Sequence, residues 1–224
     1  MIHAAELNLS EFLSRWYGQP DESARKISEE FSRLPEPLKD WYSLSCRWGK
    51  IRSANHQIYK PQQIRMKRGK VEFAADYTGI GSGPFDPEDS DAVYEAELHG
   101  DWRHVLESLS KFLNHVTIRE VAISARFIRT CSQVPDDALC GILADVEQVD
   151  FGEWGWLGPG RRSFMNQNLI IDVGPARDFR PPGRNREGFS SVRVSGISLD
   201  DLGYLDEIPM VNWLAYAAAD DCDS

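Results

Sequence analysis

The sequence predicts an α+β protein, a single domain over 1–224 in which N-terminal helices pack on a mostly antiparallel, twisted sheet of about five or six strands. Three observations carry that reading. Apolar residues recur every three or four positions up to Leu44, the spacing of helices buried on one side. From Gln62 the period shifts to two. The second half consists of short Val-, Ile- and Phe-rich runs punctuated by Gly and Pro, the pattern of strands joined by loops. With 42% hydrophobic and 11% aromatic residues among 224, the chain has the apolar content of a folded protein rather than a disordered one.

Asn8 with Glu11 three residues later forms a capping-box pattern, and Leu9, Phe12, Leu13 and Trp16 share one helical face up to Gly18. Ala24, Ile27, Phe31 and Leu34 predict a second helix ending near Leu34, where Pro35 disfavours helical geometry in the residue before it. Pro37 fits the first turn of a third helix carrying Leu38, Trp41, Tyr42 and Leu44, with Gly49 as its stop. Ile64 and Met66 alternate with Arg65 and Lys67, and Val71 and Phe73 follow Arg68-Gly69, which predicts a hairpin. The segment TGIGSGPFDPEDSD reads as an exposed loop, and AVYEAEL as a short strand. Val105, Leu109, Phe112, Leu113 and Val116 predict a long helix from Asp101 to about Ser124, with Ser108 or Ser110 as a cap near its start. The runs ILADVEQVDFG, SFMNQNLIIDVG and FSSVRVSGIS are further strands, Asp200 to Leu205 is one helical turn, and residues 217–224 fray as an acidic tail.

Composition narrows the function classes. With 35 acidic against 25 basic residues the net charge is −10, which repels phosphate backbones and makes basic proteins the natural partners, with no nucleic acid expected. Arg161, Arg162, Arg177, Arg180, Arg184 and Arg186, with Trp154, Trp156 and Phe179 among them, are the one locally basic stretch against that expectation. No apolar run approaches the ~20 residues of a membrane span and the N-terminus lacks a leader pattern, so the expectation is a cytoplasmic protein with no membrane partner. Cys46, Cys131, Cys140 and Cys222 are scattered without a C-x-x-C pair and read as packing thiols.

The search for chemistry gives little. His99 and His104 lie five apart, off the spacing of two ligands on one helix face. His115, between apolar residues, reads as a histidine at the edge of the core, and His56 falls in a turn. Gly79 to Pro84 resembles a phosphate cradle in composition, but Pro87 and a carboxylate cluster follow it instead of a helix start with Lys. No G-x-S-x-G nucleophile motif occurs. The expectation is a protein without enzymatic activity, metal or cofactor. The alternatives are an enzyme whose carboxylates, such as Asp76 and Asp172, meet only in the fold, or a regulatory scaffold.

Asp86, Glu88, Asp89, Asp91, Glu95 and Glu97 place six carboxylates within twelve residues that contain no Lys or Arg. Such a block is solvated surface, a calcium loop, or a negative patch for a basic protein; its spacing departs from the EF-hand order of ligands. The patch is the candidate partner-binding site.

The ordered segments LPEPLKDWYSL, WGKI, NHQIYKPQQIRMKRGKVEFAADYTGIG, AVYE and WRHVLESLSKFLNHV resemble the SUKH superfamily, most clearly over 24–125. The leucine-proline pair Leu34-Pro35, the aromatic-glycine pair Trp48-Gly49, the strand Val71 to Phe73 with Asp76 and Gly79 after it, and the helix Leu106 to Val116 carry the likeness. That group includes fungal cell-wall regulators and bacterial immunity proteins. The resemblance implies an immunity protein that neutralises a cognate toxin domain by binding it, and no shared catalytic centre.

Overall fold

A computed structural model of the chain describes residues 1–20, 31–48, 56–76, 81–97, 100–151, 160–177 and 185–217. It is a mixture of α-helices and mostly antiparallel sheet, and the chain groups into two compact units. One comprises His3–Ser124 and Phe151–Leu157; the other comprises Met1–Ile2, Ala125–Asp150 and Gly158–Ser224. Each has its own sheet and apolar cluster. Among the described residues the expected five or six strands become thirteen in two sheets.

In the first unit, helix α1 spans Leu9–Tyr17, and Asn8 caps it by accepting the Glu11 amide at 3.2 Å. Helix α2 spans Glu36–Ser45, with Pro37 in its first turn. The second expected helix falls mostly on residues outside the described set; Phe31 to Leu34 form a turn closed by the Leu34 amide on the Phe31 carbonyl at 3.0 Å. The sheet runs β2 (His56–Ile58), β4 (Lys70–Asp76), β5 (Gly81–Phe85), β6 (Tyr94–Glu97) and β7 (Arg103–His104), with β3 (Arg65–Lys67) also paired to β4. Strand β1 (Ile2–His3) belongs to the other sheet. The β3–β4 hairpin turns on Arg68 and Gly69, both at positive φ (50° and 78°), the geometry that a two-residue hairpin turn requires. His56 opens β2 and is not in a turn.

The Gly- and Pro-rich segment expected to be a loop is in part a central strand. Gly81 to Phe85 lies between β4 and β6, with Gly83 opposite Ala74 and Ser82 opposite both Ala75 and Ala96. Small residues stand opposite small residues in both pairings. Pro84 is tolerated because it faces Glu72 where the β4–β5 register shifts, the kind of irregularity that accommodates a proline.

Helix α3 (Leu109–Ser124) starts eight residues later than expected. Ser108 caps it, accepting the Lys111 amide at 3.2 Å, while Arg103 and His104 pair with β6. Phe112 of α3 meets Phe73 edge-on at 5.6 Å between ring centres, and Phe73 packs on Phe85 at 5.8 Å. Leu38, Val93, Val105, Leu109 and Leu113 complete this core. From Phe112 to Ala122 the helix is buried all round, so its polar residues need partners. Asn114 donates to the Ala4 carbonyl at 2.7 Å, and Thr117 donates to Leu113 at 2.7 Å while accepting the Trp41 indole at 2.9 Å. His115 is fully buried; it lies 3.3 Å from Glu107 and stacks at 3.5 Å on Phe151.

The second unit is a sheet in the order β1, β9 (Glu147–Asp150), β10 (Arg162–Met165), β11 (Leu169–Arg177), β12 (Asn185–Gly196), β8 (Phe127–Pro135) and β13 (Leu214–Ala217). Strands β8 and β13 are findings of the structure that the sequence pattern did not indicate. The short helix α4 (Leu139–Ile142) and a 3-10 helix over Asp200–Glu207 cover one face, where Ile142, Leu202 and Leu205 join Ile171, Val173, Val192 and Val194. Tyr204 donates to the Ile142 carbonyl at 3.0 Å, and burial with Asp145 nearby pushes its phenol up to about 12. Of the tail expected to fray over 217–224, Ala217 ends β13, and the rest, with Cys222, lies outside the described residues.

Candidate functional site

The acidic block sits on the turn between β5 and β6. The Asp86 amide bonds the Ala92 carbonyl at 3.0 Å and the Ala92 amide bonds the Asp89 carbonyl at 3.0 Å, which closes the hairpin end above the Phe85–Val93 bridge. The carboxylates then divide into two sorts. Three are held by the fold. Asp86 pairs with Lys70 and accepts the Glu88 amide at 2.9 Å; the Lys70 ammonium and that amide hold its carboxyl below the ordinary aspartate value. Asp91 accepts the Leu109 amide at 3.0 Å, placing a negative charge at the N-terminus of α3, where the helix dipole favours it. Glu95, expected among the solvated acids, is only 5% exposed and pairs with Arg103 from β7.

The other sort faces water. Glu88 and Asp89 are exposed, with Asp89 accepting the Asp91 amide at 3.3 Å in a tight side-chain turn. Glu97 is placed by its backbone alone, at the end of β6 opposite Gly81, and belongs to neither sort. The block is thus a braced turn with an anionic tip. Sequence reading finds the acids and misses their partners, because Lys70, Arg103 and the Leu109 amide come from elsewhere in the chain.

A cleft of about 460 Å³ opens beside the same helix end, a size within the range of small binding pockets. Leu7, Leu9, Trp41, Leu44 and Leu113 form its apolar wall, and Asp40 and Ser110 lie on its rim. Ser110 follows Leu109, the residue whose amide Asp91 holds, so turn and cleft flank one end of α3. No sequence signal marks this cleft, since its lining comes from three separated segments.

Across β3 the charges reverse. Glu72, with no exposed surface, accepts from Arg65 at 2.9 Å and Lys67 at 2.5 Å. The Arg68 guanidinium lies 4.5 Å from the Trp102 ring centre and donates to the Gly100 carbonyl at 2.5 Å. These cations are bound up with the protein's own acid and ring.

Asp76 and Asp172, the carboxylates of the enzymatic alternative, lie on different sheets. Asp172 is buried and accepts the Ser163 hydroxyl at 2.6 Å. It belongs to a cross-strand row of Ser163, Asp172, Arg193 and Thr130 on β10, β11, β12 and β8. Among the described residues no three His, Cys, Asp or Glu side chains converge as metal ligands. Cys46, Cys131 and Cys140 are free thiols. Of the basic later segment, Arg162, Arg177 and Arg186 lie on β10, β11 and β12; Trp154, Trp156, Phe179, Arg180 and Arg184, like His99, lie outside the described residues. No helix of the described residues is long and apolar enough to cross a membrane.

Comparisons of the chain with protein-family models, with curated proteins and with solved structures returned no match.

Proposed function

We propose that this chain is a non-catalytic binding module that engages a basic protein through the β5–β6 turn, and that it acts as an immunity protein occupying a toxin domain. The observation that carries the reading is the bracing of the turn. Asp86, Asp91 and Glu95 are fixed by Lys70, the Leu109 amide and Arg103, which leaves Glu88 and Asp89 on a backbone that has little freedom to lose on binding. Anionic groups held in place steer a cationic partner and set its orientation. The neighbouring cleft supplies what charge alone does not, an apolar recess in which a side chain of the partner is desolvated. The SUKH-like segments supply the class of partner.

The test separates the exposed acids from those that hold the fold. Glu88→Lys with Asp89→Asn removes two negative charges, adds one positive charge and keeps an oxygen at position 89 for the Asp91 amide. Both proteins are immobilised, exposed to native lysate, and washed with rising salt. The variant is expected to release the retained basic protein at lower salt than the parent, with an unchanged melting temperature. Release at the same salt would contradict the proposal.

A further inference from the structure

The edges of the two sheets are defended unequally. An open edge strand offers unpaired backbone groups to any other strand, and proteins block it with charge, proline or shortness. β3 carries Arg65 and Lys67, β7 is Arg103–His104, and β1 and β2 have only two and three residues. β13, the last strand of its sheet among the described residues, has none of these devices. Leu214–Ala217 contains no charge and no proline, and it sits inside a stretch from Ile208 to Ala219 without a charged residue. Leu214 is 61% and Tyr216 57% exposed, and both lie on one face of the strand. The nearest acid before this stretch that the structure pairs, Asp206, is neutralised by Arg129 of β8 at 3.2 Å.

We propose that β13 pairs antiparallel with β13 of a second copy of this chain, joining two seven-stranded sheets into one continuous sheet. Charge selects the occupant. A chain of net charge −10 repels its own copy wherever acids face each other; β13 carries neither an acid to repel a second copy nor one to draw a basic partner, and its exposed Leu214 and Tyr216 suit the same pair on a second copy. Symmetry fixes the register. A two-fold axis perpendicular to the sheet must pass through a residue, so that each side chain meets one on its own face. With Ala215 on the axis, Leu214 opposes Tyr216 of the partner subunit and the same pair recurs across the axis. The two large exposed side chains of each strand are thereby covered, with a small residue at the centre.

Sedimentation of the full chain over a range of concentrations is expected to show a monomer–dimer equilibrium, and Leu214→Lys with Tyr216→Lys is expected to shift it to monomer. A second pair of variants, made with Cys140→Ser, tests the register without disturbing the edge. Residues opposed across an antiparallel pair have Cα atoms about 4.5–5.5 Å apart, within the reach of a disulfide. Ala215→Cys should therefore cross-link to its own copy on mild oxidation, and Leu214→Cys, two positions out of register with itself, should not. A monomer at every concentration, a dimer that survives both lysines, or cross-linking through position 214 in place of 215 would each overturn the proposal.

Discussion

Each of the two units of this molecule has an apolar core, and they differ in how many charged groups their sheets bury. The sheet of β2 to β7 takes charges into its interior and pays for them with cations at its rim: Glu72 with Arg65 and Lys67, Glu95 with Arg103. The sheet of β8 to β13 is buried mostly through Val, Ile and Leu, and its buried carboxylate, Asp172, accepts the Ser163 hydroxyl of β10 and lies opposite Arg193 of β12. The difference follows the roles proposed for them. A surface that recognises charge needs carboxylates held in place, and ion pairs hold them in defined positions. A sheet whose edge accepts another strand needs an uncharged edge.

The largest expected effect tests the ionic side. Arg65→Ala with Lys67→Ala takes both of these cations from the buried Glu72 carboxylate, a change that costs about 3–5 kcal/mol where a buried pair loses its partner. Glu72→Gln in the same background should recover most of the loss, because the buried charge is then gone. Urea unfolding of the three proteins measures both values, and an equal loss with and without the carboxylate would mean that packing, not charge, holds β3.

On the other sheet a smaller loss is expected. Ser163→Ala removes one hydrogen bond from buried Asp172 and should cost about 1–3 kcal/mol, with Asp172→Asn in the same chain offsetting part of it. A loss as large as that on the ionic side would erase the contrast between the units.

The smallest effect is a titration. The Asp86 carboxyl is depressed below 3.8, chiefly by the Lys70 ammonium and the Glu88 amide. A depressed carboxyl favours the folded state above its unfolded value, so this contribution is complete at neutral pH. It fades as pH falls below about 3.8 and through the lower folded value. Lys70→Met should raise the Asp86 midpoint, observed by NMR, towards the ordinary range. An unmoved midpoint would show that the backbone amides alone set it.

Local signals carried much of the first unit. Asn8 caps α1, Arg68-Gly69 turns the hairpin, and Pro37 opens α2, each within a few residues of what it governs. The elements that escaped depend on distant partners. β5 is paired to β4 and β6, with Gly83 opposite Ala74, while its own Gly- and Pro-rich composition carries no strand signal. In β8 the pairing steps by three residues from Cys131 to Val134 while β12 steps by two from Val192 to Ser190, so its buried positions lose the alternation that marks a strand. α3 begins at Leu109 because Ser108 caps it and β7 claims Arg103 and His104, although the apolar spacing extends back to Val105. The candidate site divides the same way: the acids stand out in the sequence, and which of them are free is decided by Lys70, Arg103 and α3.

The most direct test of the binding proposal is the association rate, across ionic strength, of the basic protein recovered from the low-salt wash. The parent should associate fastest at low salt and slow steadily as salt is added, because screening shortens the reach of its acids to about 8 Å at physiological strength. The Glu88→Lys/Asp89→Asn protein should be roughly tenfold slower at low salt, and the two rates should converge at high salt. Equal rates at low salt would contradict the account.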